Sequence, residues 1–137
     1  MKRLTPLAVL FTAAFALTAC NTISKPPHAV KPDTVSEARY PQIATEGNLG
    51  NHLSYAKPIV RMDGQTPMRV TVPIRLRDDK PVNAQYRFTF LAADGAPVGP
   101  PMDWRFMVLP PRLQVFMEGS AASPQAVDWR LEIRPAK

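Results

Sequence analysis

From Leu53 to the end of the chain, apolar residues recur at every second position, the period of a half-buried strand. In Met68-Arg69-Val70-Thr71-Val72-Pro73-Ile74-Arg75-Leu76-Arg77, one face carries Met68, Val70, Val72, Ile74 and Leu76, and the other the arginines, Thr71 and Pro73. Pro73 has no backbone donor, so this strand is expected at a sheet edge or bulged there. Gln85 to Leu91 repeats the pattern, with Tyr86, Phe88 and Phe90 inward. Trp104, Phe106 and Val108 form the next apolar set, Leu113, Val115 and Met117 another, and Val127, Trp129, Leu131 and Ile133 the last. Phe116, Met107 and Leu109 fall opposite these sets, marking a second buried side or a contact patch. An earlier strand is expected over residues 54–61, weakened by Pro58.

Turn residues separate the runs: Asp63-Gly64, Asp78 to Pro81, Asp94-Gly95, Pro100-Pro101, Pro110-Pro111 and Ser120 to Pro124. Short strands at this spacing, each with one apolar face, predict an all-β domain over residues 53–137. The expected form is an immunoglobulin-like antiparallel β-sandwich of six to seven strands. Its core is expected to be aromatic and free of disulfides, because the chain has a single cysteine at position 20.

The first fifty residues follow a different pattern. Met1-Lys2-Arg3 is basic, and Leu7 to Leu17 is an unbroken weakly polar-to-apolar stretch of eleven residues, too short to span a bilayer comfortably. Leu17-Thr18-Ala19-Cys20 then closes it. This motif resembles the lipobox of bacterial lipoproteins. The resemblance implies cleavage before Cys20, a removed signal peptide over residues 1–19, and diacylglycerol and N-acyl chains on Cys20. No other cofactor is expected. Each buried methylene contributes about 0.8 kcal/mol, so two or more chains hold a protein stably at a membrane. Asn21 stands where aspartate directs retention at the inner membrane in the enterobacterial pattern. The resemblance therefore implies the periplasmic face of the outer membrane. Residues 20–52 carry Pro26, Pro27, Pro32 and Pro41 and no apolar period, which predicts a flexible tether. A chain of that length spans roughly 30 Å r.m.s.. Within it, Tyr40-Pro41-Gln42-Ile43 is the one stretch suited to packing as an added strand.

Composition sharpens this reading. The chain holds 16 prolines in 137 residues, against about seven at average usage, which disfavours long helices after the leader. The formal charge is +6, part of which leaves with Lys2 and Arg3.

Gln85-Tyr86-Arg87-Phe88, the Asp94-Gly95 turn, Trp104, the Leu109 region and Ala126 to Arg134 stand in this order behind the Cys20 motif. In these residues the chain resembles the YcfL-like family of small bacterial outer-membrane lipoproteins. The resemblance covers roughly residues 53–137 and implies an immunoglobulin-like sandwich, with no catalytic residues to carry over. Arg75-Leu76-Arg77-Asp78 and Ala92 depart from the family pattern at two turn positions.

Candidate chemistry is sparse. His52 and Ser54 invite a nucleophile-and-base reading, but no Gly-x-Ser-x-Gly elbow accompanies them. His28 and His52 are too few and too far apart for a zinc site, and Asp78-Asp79 reads as a polar turn. No metal site and no catalytic residue is assigned. The outward arginines Arg69, Arg75, Arg77, Arg87 and Arg105 are the candidate contact residues for acidic surfaces. The pattern leaves open whether they form one patch or a dispersed solvated surface. Nucleic acid is not expected as a partner in an envelope compartment. The reading is a non-enzymatic, lipid-anchored binding or adaptor module serving an envelope protein partner. The alternatives are a structural lipoprotein of a secretion or cell-wall assembly and, behind it, a cell-wall-acting enzyme.

Overall fold

The computed structural model describes residues 39–137. Cys20, the motif before it and residues 20–38 of the expected tether lie outside the described residues. Within them the chain forms two four-stranded β-sheets and one short helix. The elements in order are β1 (Ile43–Thr45), α1 (Leu49–His52), β2 (Leu53–Tyr55), β3 (Ile59–Arg61), β4 (Arg69–Leu76), β5 (Val82–Leu91), β6 (Arg105–Leu109), β7 (Gln114–Ser120) and β8 (Asp128–Pro135). There are eight strands, not six or seven. The additional ones come from the N-terminal side and from division of the 54–61 segment. Residues 43–52, assigned from sequence to the tether, supply β1 and α1, and the added strand begins at Ile43.

The first sheet has the order β1-β8-β5-β6. β1 runs parallel to β8 with Ile43 opposite Leu131, while the other pairs of these strands are antiparallel. The second sheet is centred on β4, which pairs with β7 on one side and with β2 and β3 on the other. β2 and β3 lie end to end along β4, Tyr55 facing Ile74 and Ile59 facing Thr71. Three residues, 56–58, therefore face the two residues Val72 and Pro73.

This break explains how a proline sits in a central strand. The Pro73 carbonyl accepts from the Ala56 N–H at 3.1 Å, so the Pro73 backbone points toward the β2–β3 side. Its missing donor faces the irregular segment between those strands. Toward β7 it stands opposite Phe116 in a pair that needs no ladder bond. The strand is interior rather than at an edge, and the bulge lies in its neighbour.

The inward residues meet as the period-2 pattern requires. Val70, Val72, Ile74, Leu76 and Met117 of one sheet face Ala84, Tyr86, Phe88, Phe90, Leu109, Trp129, Leu131 and Ile133 of the other, and all are buried. Phe88 is central to the aromatic group. Its ring lies 6.2 Å from Tyr86 edge-on, 6.0 Å from Phe90 stacked, and 6.0 Å from Trp129. Across the sandwich it meets Gly119 of β7. A Cβ on Gly119 would stand 2.5 Å from Cδ2, 2.6 Å from Cγ and 3.0 Å from Cβ of Phe88.

The inward assignments of Trp104, Phe106, Val108, Leu113 and Val127 are corrected. Phe106 is 59% and Val108 50% exposed, while Met107 packs on the core and Leu109 is fully buried. The strand Arg-Phe-Met-Val-Leu is apolar on both faces, so its own pattern does not orient it. Pairing with β5 does, because Met107 stands opposite Ala84 and Leu109 opposite Val82, and opposed residues share a face. Trp104 accordingly falls on the outer face, where the guanidinium groups of Arg87 and Arg134 lie 4.5 Å and 3.9 Å from its ring centre. Leu113 and Val127 lie just outside their strands and are exposed.

Asp63 behaves as a turn residue. Its Oδ1 accepts from the N–H groups of Gln65 (2.9 Å) and Thr66 (2.7 Å) and from the Thr66 hydroxyl (2.8 Å). The Thr66 backbone donor is the main cause holding its carboxyl below the ordinary value. The turn between β3 and β4 therefore gains from the ionised carboxylate and loses that contribution as pH falls through the carboxylate range.

Gly119→Ala should lower unfolding stability by about 1–3 kcal/mol through overpacking against Phe88. Urea denaturation followed by tryptophan fluorescence measures it. A neutral result would show that the sheets separate without loss.

Candidate functional site

The strand registers sort the arginines. Residues opposed in a pair share a face, so Arg69, Thr71 and Arg75 of β4 lie on the outer face with Ser120, Glu118 and Gln114 of β7. From β3, Ile59 and Arg61 stand opposite Thr71 and Arg69 on that same face. Arg87 lies on the outer face of the other sheet, where it forms an ion pair with Glu132 and stacks over Trp104. Arg77 follows the end of β4 and donates its N–H to the His52 carbonyl at 2.8 Å. Arg105, expected on a solvent face, instead opens β6 opposite the buried Tyr86, on the strand face that carries Met107 and Leu109, so the five candidate arginines are divided between two outer faces, a strand end and the inward register of β6.

One group does assemble. Arg61, Arg69 and Arg105 line a hollow of about 490 Å³, together with Ile59, Phe116 and Glu118. Arg105 reaches it from the other sheet. It starts β6 opposite Tyr86, and its Nη1 donates to the Glu118 backbone carbonyl at 3.2 Å. In β7, Ala121 donates to Met68 toward β4, so alternation turns the Glu118 carbonyl to the strand's open edge. The arginine occupies one acceptor of that edge.

The electrostatics of the hollow are unbalanced. Arg61 stands directly opposite Arg69, a like-charge cross-strand pair that weakens a sheet. Among the described residues neither forms an ion pair. Glu118 is the only acidic side chain in the lining. Ile59 and Phe116, about half exposed, supply apolar walls.

A second hollow of about 660 Å³ shares Arg105 and Ser120 with the first. It exists because β6 is shorter than β5. Their ladder ends at Tyr86–Arg105, and the next backbone bond on that edge is from Val98 N–H to the Phe90 carbonyl, 2.8 Å. The loop between β5 and β6 crosses the remaining opening with Val98, Met102 and its prolines.

The other candidate chemistry is held apart. Ser54 is buried and donates its hydroxyl to the Arg75 carbonyl at 3.2 Å, while His52 Nδ1 lies 2.9 Å from Asp78 Oδ1. Asp79 accepts from Arg112 Nε at 2.6 Å, so the two neighbouring carboxylates serve different partners. Among the described residues no group of three or more His, Cys, Asp or Glu side chains is placed to hold a metal ion.

Arg61 was not among the sequence candidates. Ile59-Val60-Arg61 is too short to show alternation, and only its register against β4 reveals the pairing with Arg69. The mixed apolar and basic lining is likewise assembled from four strands far apart in sequence.

Comparison with known proteins places this geometry in a family. A model described as "Protein of unknown function (DUF1425)" matches residues 42–135. The chain belongs to the DUF1425 family. The match starts within one residue of β1 and ends at the last residue of β8, so the family unit is the sandwich with its parallel first strand. The crystal structure of Campylobacter jejuni cj0090 is similar, with a TM-score of 0.58 at 22% identity, covering 69% of this chain and 98% of that one. A DUF1425 family member from Shewanella sp. pv-4 gives a TM-score of 0.55 at 21% identity, covering 62% of this chain and 79% of that one. At these identities the likeness is one of fold. No curated protein matches the chain.

Arg61→Glu, which turns the Arg61–Arg69 repulsion into attraction, should stabilise this DUF1425 domain by roughly 0.2–1 kcal/mol. Thermal denaturation at low salt measures the gain, which should shrink as salt is added.

Proposed function

We propose that this DUF1425 protein is a lipid-anchored, non-enzymatic binding module at the periplasmic face of the bacterial outer membrane. The observation that carries the reading is Leu17-Thr18-Ala19-Cys20 behind a basic start and an apolar stretch. A lipid-modified Cys20 accounts for why a chain with a single cysteine has it at that position, with no second thiol to pair with. The same features, with the Tyr86 to Phe88 strand, Trp104 and the Ala126 to Arg134 strand, support a YcfL-like relationship within the family.

The binding half of the reading rests on the fold. The inter-sheet space is filled by apolar side chains, which makes the sandwich a rigid support for an exposed surface. That surface carries three arginines beside a single acid. Guanidinium groups without an acidic partner, as those of Arg61 and Arg69 are among the described residues, recognise carboxylates or phosphates with directional, charge-assisted bonds.

Cys20→Ser, produced in a Gram-negative host beside the wild type, separates anchorage from folding. Wild-type protein should incorporate labelled palmitate and fractionate with outer membranes. The variant should do neither, yet unfold at the same denaturant midpoint. Palmitate incorporation by the variant would remove Cys20 as the anchor.

A further inference from the structure

The arginine-lined hollow on β3, β4 and β7 is one no assignment yet explains, and its composition specifies a ligand. We infer that it is a docking site for an extended acidic segment of a protein partner, whose carboxylates bind Arg61, Arg69 and Arg105. This deepens the reading of the chain as a binding module and rests on it.

Charge complementarity carries the first step. Arg61 and Arg69 are placed opposite one another without a carboxylate partner among the described residues. An arrangement that weakens the isolated sheet is relieved by an anionic group from outside. Arginine suits this task, because its planar fork meets a carboxylate with two parallel bonds. Arg105 adds a third guanidinium already turned into the hollow by its bond to the Glu118 carbonyl.

The shape of the site carries the second step, from anion to peptide. The guanidinium groups come from three strands rather than converging from one loop, so the positive rim is spread along a sheet face. An extended segment presents same-face carboxylates about 6.5–7 Å apart, which serves several guanidiniums at once. A lone phosphate meets only one point of such a rim. Ile59 and Phe116 add exposed apolar walls that a peptide side chain covers and that an inorganic anion does not. The open edge of β7 lies beside the hollow, with the Phe116 backbone directed outward by the same alternation that exposes the Glu118 carbonyl. Main-chain pairing is available to a strand and not to a lipid headgroup.

The test uses the full chain in nonionic detergent and a fluorescein-labelled nonapeptide of alternating glutamate and serine around one central leucine. Fluorescence anisotropy should show binding that weakens with salt. Arg69→Glu and Arg61→Glu should each weaken it by about tenfold or more, through loss of charge-assisted contacts. Arg130→Glu, on an exposed position of β8, should change it less than about twofold. The glutamine version of the peptide should not compete. Arg61→Glu should lose the peptide while its melting temperature rises, a combination that a merely solvated surface does not produce. Equal effects of Arg61→Glu, Arg69→Glu and Arg130→Glu would overturn the site. Displacement of the peptide by inorganic phosphate at equal concentration, or by phosphatidylglycerol in mixed micelles, would overturn the assignment to a protein segment. Neither result depends on Cys20, so failure here and failure of the anchor are separate findings.

Discussion

The approach of Phe88 to Gly119 sets the distance and alignment of the two sheets. Phe88 is the largest of the fully buried side chains and touches three other aromatic rings. A ring of that size fits between two sheets only where the opposite strand gives way. β7 does so at Gly119, where the absent side chain leaves the space the ring occupies. Sheets packed face to face depend on such interdigitation, because protein interiors tolerate neither voids nor overlap. With Phe88 seated against Gly119, β5 is aligned with β7, and the remaining inward residues follow at their period of two.

That alignment also places the basic hollow. Glu118 and Ser120 flank Gly119 and point outward on the neighbouring positions of β7. Arg69 and Arg61 follow in register across β4 and β3. Because β6 covers only part of β5, Arg105 stands at the end of its ladder and reaches the edge of β7. The core contact and the exposed arginine group are thus consequences of one register, and a slip of β7 by one residue would turn both inside out.

The outer face of the other sheet shows how similar residues come to a different use. Arg87 and Arg134 enclose Trp104, with Glu132 accepting from Arg87 Nε and Gln85 Oε1 accepting from Arg134 Nε. Those arginines are internally partnered, whereas Arg61 and Arg69 form no ion pair among the described residues. The distinction between a stabilising surface cluster and a receptive one lies in the neighbours that pairing supplies, not in residue type.

Much of the sandwich was legible in the chain. The inward faces of β4, β5 and β8 follow from alternation, since burying one face of a strand forces period two on its residues. The turns at Asp63 and Asp94 follow from local side-chain bonding, which needs no tertiary partner. β6 could not be oriented, because apolar residues occupy both of its faces and only Ala84 and Val82 opposite Met107 and Leu109 decide between them. The position of Pro73 inside a sheet was decided by the break between β2 and β3, a property of two other strands. The added strand expected at Tyr40 to Ile43 is displaced to β1, Ile43–Thr45, and its parallel pairing with β8, the strand most distant from it in the chain, was not legible in so short a segment. The sequence by itself determined the all-β class, the inward faces of β4, β5 and β8 and the turns, because these depend on each residue's own chemistry and its immediate neighbours. Only the tertiary structure decided which arginines meet, because that depends on registers set between strands distant in sequence, as Arg69 is from Ser120.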